Sequence, residues 1–160
     1  MEFFQLNNLR VLPKPQQQPP EVWLGGIAPS ELKRVGRTAD GWLPSFVTPA
    51  DAEAGWATIG EHAKEHNRSI DPEHFGVLIP YALGEVPNAL IAGLAARRPD
   101  LADPSVLVPN TWDALTKMIQ EFISVGASKF VVLPIVEPTS ATHWISHLEE
   151  ASRILLPLQN

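Results

Sequence analysis

Val22-Trp23-Leu24-Gly25-Gly26-Ile27-Ala28-Pro29 reads as a buried strand that stops at a tight turn and passes straight into a helix. Three apolar residues ended by two glycines have the pattern of a short parallel strand closed by a turn. Pro29 suits a first helical turn, and Leu32, Val35 and Ala39 follow at spacings of three and four, on one face of a short helix. The same alternation continues downstream. Asp40-Gly41 punctuates, and residues 42–46 form a second strand in which Pro44 removes one ladder donor. Thr48-Pro49-Ala50-Asp51 combines a hydroxyl cap, a proline at the first position and a carboxylate near the amide end. The helix it opens carries Ala52, Trp56, Ile59 and Ala63 as a stripe and ends at Asn67 or Arg68.

Residues 75–81 are a third, nearly continuous apolar strand, and residues 88–97 a helix carrying Leu90, Ile91 and Leu94. A loop punctuated by prolines 99, 104 and 109 leads to a cap at Asn110 or Thr111, and Leu115, Ile119 and Phe122 make the buried face of the next helix. Residues 130–135 are the fourth strand. Ser140 opens a last helix with Trp144, Leu148, Ala151 and Leu155 on one face. Strand and helix thus alternate four times, with an extra helix in the third unit, which implies a parallel sheet with right-handed crossovers. Four strands make an open sheet, since a closed barrel takes about eight. Pro44, Pro80 and Pro134 all fall at C-terminal strand ends, where ladder pairing stops and a functional face opens. Residues 1–20, with prolines 13, 15, 19 and 20 around three glutamines, read as an extended arm, and residues 21–160 as one domain.

At 160 residues the chain has one domain's worth of core. A net charge of −6 without a lysine or arginine cluster argues against nucleic acid or an anionic membrane as partner. The absence of cysteine excludes disulfides, thiolate chemistry, iron–sulfur clusters and cysteine-ligated zinc. The first residues lack the pattern of a signal peptide and no apolar run reaches the ~18 residues of a membrane span, so the expected location is cytoplasmic. A small-molecule substrate or a protein partner remains.

Two glycines at a strand end let a ligand approach the backbone, and the helix that follows presents free amides and a partial positive charge. Gly25, Gly26 and the start of that helix therefore read as an anion site, with a plain tight turn as the competing explanation. Tyr81 and Glu137, each just past a strand end, are candidate catalytic groups: the phenol to hydrogen-bond a substrate, the carboxylate to handle a proton. His62-Ala63-Lys64-Glu65-His66 matches the H-x-x-E-H spacing of inverted zinc peptidases, but a basic, solvated C-terminal turn accounts for it more simply, and no metal is expected.

Three segments together carry a resemblance: Val22 through Pro29, the run Gly36-Arg37-Thr38-Ala39-Asp40-Gly41-Trp42-Leu43-Pro44-Ser45-Phe46, and Gly126-Ala127-Ser128-Lys129-Phe130-Val131-Val132. They resemble the second half of luciferase-like oxidoreductases, particularly the branch that uses coenzyme F420, over residues 13–158. The resemblance implies an α/β fold, the parallel (β/α)4 C-terminal half of a TIM-type (β/α)8 barrel. It implies F420, or alternatively FMN, as cofactor, used for hydride transfer or monooxygenation. It also places the coenzyme phosphate on Gly25, Gly26 and Ile27, with Ser45 and Phe46 reaching the phosphate or ribityl chain. Such a half is expected to pair with itself, as a homo-oligomer, or with a separate N-terminal half-barrel. The alternative is a non-catalytic half-barrel module that binds coenzyme or a partner half without turnover.

Overall fold

The computed structural model describes residues 7–10, 12–17 and 19–159. Its elements are β1 (Trp23–Leu24), α1 (Pro29–Thr38), β2 (Gly41–Trp42), α2 (Pro49–Glu65), β3 (Gly76–Tyr81), α3 (Asn88–Arg97), α4 (Trp112–Ser124), β4 (Lys129–Pro134) and α5 (Ala141–Leu155). Short 3-10 turns precede β3 (Pro72–His74) and α4 (Pro104–Leu107) and follow α5 (Leu156–Leu158). The described residues before Glu21 form no helix or strand and are exposed.

β1 pairs parallel with β2, and β3 parallel with β4. Parallel bridges from Trp42 to Phe75 and from Ser45 to Leu78 join the two pairs into one sheet of order β1-β2-β3-β4. The second strand is shorter than the sequence predicts. Pro44 offers only its carbonyl, which accepts from Leu78 N at 2.9 Å, and Phe46 turns away at φ +55°. The other strand prolines also sit where no donor is needed. Leu78 N points toward β2, so Pro80, two residues on, lies just past the last β2 bridge. Lys129 N and Ile135 N both donate to β3, so Pro134 turns its missing donor to the open edge of β4.

Side chains alternate across this sheet. Trp42, Phe75, Val77, Ile79 and Tyr81 are buried against the helices, in one cluster with Val35, Ala52, Ile59, Leu115, Ile119 and Phe122. Phe75 is stacked between Trp42, at 5.5 Å, and Trp56, at 4.8 Å. Gly36 lets α1 lie against α2: a Cβ there would stand 2.7 Å from the Ile59 carbonyl. The opposite face is open, with Val131 and Leu133 45% and 49% exposed.

α5 begins where expected, with the Ser140 hydroxyl accepting from His143 N. Of the predicted stripe, Trp144, Ala151 and Leu155 are half-buried. Leu148 is exposed, no residue of the helix is fully buried, and a cleft of about 890 Å³ lies between it, α4 and β4. A helix in this position packs fully only when a further strand follows β4.

Candidate active-site face

The C-terminal ends of β1 and β2 are bound together. Leu43 N donates to the Leu24 carbonyl, and the Trp42 indole N–H donates to the Gly26 carbonyl, both at 2.9 Å. Gly25 lies so close to β2 that a Cβ would come within 3.1 Å of the Leu43 carbonyl oxygen. Gly26 turns at φ +91°, a conformation that side chains resist, and the space its Cβ would need is filled by the Glu31 carboxylate. Glu31 Oε2 accepts from Ala28 N at 3.0 Å, while Ile27 is partly exposed beside it. The amide of Ala28, the residue that caps α1, thus already holds an anionic oxygen beside the glycine turn, which is the chemistry a phosphate would use. An acid at the third position of α1, an N-terminal capping pattern not used in the sequence analysis, is the signal that points to it.

Ser45 is exposed beside Leu78. Phe46 is held in the left-handed region, which costs a side-chain-bearing residue about 1–2 kcal/mol. Two contacts offset that cost. The Phe46 ring packs on Ala82, Leu94, Leu107 and Val108, and its carbonyl accepts from Arg98 Nη1 at 3.0 Å. Arg98 is 7% exposed, the one buried charged side chain among the described residues. It stands beside Asp51 and Asp100, partners that no local sequence pattern marks.

The structure does not bring Tyr81 to this face. Its side chain lies among the helices, 2% exposed, with the hydroxyl 2.5 Å from His147 Nε2. The ring stacks on His147 at 5.8 Å and tilts against Trp112 at 5.5 Å. Burial pushes the phenol above its ordinary pKa, so it stays neutral. Glu137 is exposed in the loop between β4 and α5. The two histidines of the H-x-x-E-H segment are engaged locally: His62 Nδ1 lies 2.8 Å from Glu65 Oε2, and His66 Nδ1 lies 2.9 Å from the His62 carbonyl. Among the described residues no group of three or more histidines and carboxylates is placed to hold a metal ion. Nor is any helix among them long and apolar enough to cross a membrane.

None of the curated proteins matches the chain. Among solved structures, an F420-dependent secondary alcohol dehydrogenase in complex with an F420-acetone adduct aligns with a TM-score of 0.56 at 18% identity, over 82% of this chain and 48% of its own. The coenzyme F420-dependent tetrahydromethanopterin reductase of Methanopyrus kandleri gives 0.56 at 17%, over 88% and 51%. The oxygenating constituent of 3,6-diketocamphane monooxygenase from Pseudomonas putida, in complex with FMN, gives 0.55 at 12%, over 88% and 49%. The chain spans about half the length of these structures, so its four parallel strands and their helices are a (β/α)4 half of a (β/α)8 barrel. The family model for luciferase-like monooxygenases matches residues 1–128, rather than the 13–158 over which the motifs resemble it. With that match over most of its length, the chain belongs to the luciferase-like monooxygenase family.

Proposed function

We propose that this chain is the C-terminal half-barrel of an F420- or FMN-dependent oxidoreductase acting on a small molecule in the cytoplasm, and that it contributes the coenzyme phosphate site. The observation that carries this reading is the joined pair of strand ends. Gly25, Gly26 and Ile27 lie against β2 through the Trp42–Gly26 hydrogen bond, with Ser45 and Phe46 at the next strand end. When bound, the coenzyme supplies hydride transfer or oxygen activation. The residues of this chain bind and orient it: the glycine turn and the Ala28 amide that precedes α1 take the phosphate, and Ser45 and the Phe46 backbone hold the phosphate or ribityl chain. Glu31 must swing away from Ala28 N for the phosphate to enter, so it competes with the coenzyme. Glu137 is the proton-handling candidate on this side of the sheet, whereas Tyr81 holds α5 through His147.

Titration of the assembled protein with coenzyme F420 and with FMN tests the reading. Saturable binding of one of them, abolished by Gly26→Val, is expected; no binding of either to the oligomer overturns it. The inward packing of Tyr81 favours a second reading, a module that binds coenzyme or a partner half without turnover. It predicts coenzyme binding with no reduction or oxygenation of any substrate after a complementary half is supplied.

A further inference from the structure

We propose that Arg98 is a positioning residue for coenzyme binding, fixing from the end of α3 the backbone of the β2–α2 loop; the proposal rests on the coenzyme reading above. The guanidinium makes contacts in three directions. Nε donates to Asp100 Oδ1 at 3.0 Å and Nη2 to Asp100 Oδ2 at 2.7 Å; Nη2 also lies 3.0 Å from Asp51 Oδ2, and Nη1 donates to the Phe46 carbonyl at 3.0 Å. Asp51 in turn accepts from Thr48 N and Thr48 Oγ1, each at 2.8 Å. One cation therefore grips the loop twice, directly at Phe46 and through Asp51 at Thr48. The first of those points is the left-handed turn at Phe46, directly after the exposed Ser45.

Arg98 does not itself serve as a phosphate ligand. Its side chain is 8% exposed and two carboxylates face its single charge, so the cluster is net negative and repels an anion. Most of its five N–H donors are already committed. Its effect reaches a ligand through the loop, by pre-ordering the backbone that the ligand meets. The planar fork matters here, because a lysine ammonium can balance the two carboxylates but cannot also span to the Phe46 carbonyl.

The test compares Arg98→Lys and Arg98→Met with Arg68→Met, a destabilising control remote from this loop. Binding of F420 and FMN is followed by titration, folding by thermal melting, and loop order by hydrogen exchange of residues 45–48. Arg98→Met is expected to lose both stability and affinity. Arg98→Lys should recover much of the stability yet bind coenzyme at least about tenfold more weakly, with faster exchange in 45–48 and unchanged exchange in α4. Arg68→Met should lower stability and leave affinity intact. Wild-type affinity or wild-type loop protection in Arg98→Lys overturns the proposal. If the unaltered protein binds neither coenzyme, the coenzyme reading falls and the positioning role with it, while the exchange arm still decides whether Arg98 orders the loop.

Discussion

Glu31 shows how one side chain can both complete a helix and oppose a ligand. Its carboxylate satisfies Ala28 N and sits against the Gly26 turn, so removing it frees an amide and takes a negative charge from the place proposed for phosphate. Glu31→Ala should strengthen FMN or F420 binding severalfold in a titration and cost α1 about 0.5–1 kcal/mol in a thermal melt, the usual loss for such a cap. Weaker binding would show that the carboxylate is not a competitor. Asp51 yields a pH prediction. Burial raises its pKa, but bonds from the Thr48 amide and hydroxyl and from Arg98 outweigh this and hold it below the ordinary carboxylate value. A depressed folded pKa means stability that is present above the unfolded value, about 3.9, and lost as pH falls through the lower, folded one. Asp51→Asn should therefore flatten the stability profile below about pH 4, as read by denaturant melts across pH; an unchanged acid limb would remove Asp51 from that role. The glycine turn could be read in the sequence because its meaning is local. Arg98 could not, because Phe46 lies 52 residues away and only the fold joins them.

Between elements, long polar side chains tie neighbouring units. Arg68, just past the end of α2, donates to the Gly36 and Ala39 carbonyls at 2.9 and 2.8 Å and so closes the C-terminal end of α1. Two charge-assisted bonds to otherwise open carbonyls make Arg68→Met cost about 1.5–3 kcal/mol, measurable by denaturant unfolding; a change under about 0.5 kcal/mol would place these bonds among surface contacts of no consequence. α5 is tied differently. Tyr81, Trp112 and Trp144 surround His147, and the Tyr81 hydroxyl is its polar partner. Tyr81→Phe should speed amide exchange in α5 selectively and lower stability by about 0.5–1.5 kcal/mol. Equal exchange throughout α5 would assign its docking to apolar contacts alone. Periodicity made the strand and helix order legible, including Thr48 and Ser140 as caps and Thr111 as one of two candidates with Asn110. It misjudged the length of β2, where Pro44 and Phe46 end the ladder early, and the depth to which the face of α5 is buried. The stripe Trp144, Leu148, Ala151, Leu155 assumes a surface beneath the helix that four strands do not supply.

At the scale of the molecule the sheet is unfinished in a directional way. On β4 the amides of Lys129 and Ile135 turn toward β3, so Phe130, Val132 and Pro134 face the open edge. A further parallel strand there would find N–H donors at Phe130 and Val132 and only a carbonyl at Pro134. Beside that edge Val131 and Leu133 are half-exposed on the open face, and no charge guards the middle of the strand. Native folds that keep such an edge free of partners usually place lysine or another inward charge on it. The solved relatives, about twice as long, add the remaining half of the fold. We therefore expect the isolated chain to self-associate, and a complementary half-barrel to compete with that association when present. Leu133→Lys is the discriminating variant, because the side chain is already half-exposed and its replacement removes little packing inside the chain. Native mass measurement should show wild type as an oligomer and Leu133→Lys shifted to monomer, with helix content unchanged by circular dichroism. A wild-type monomer that unfolds cooperatively at the highest soluble concentration would mean that four β/α units suffice on their own, and the open face would then have to be explained as a ligand surface rather than an interface.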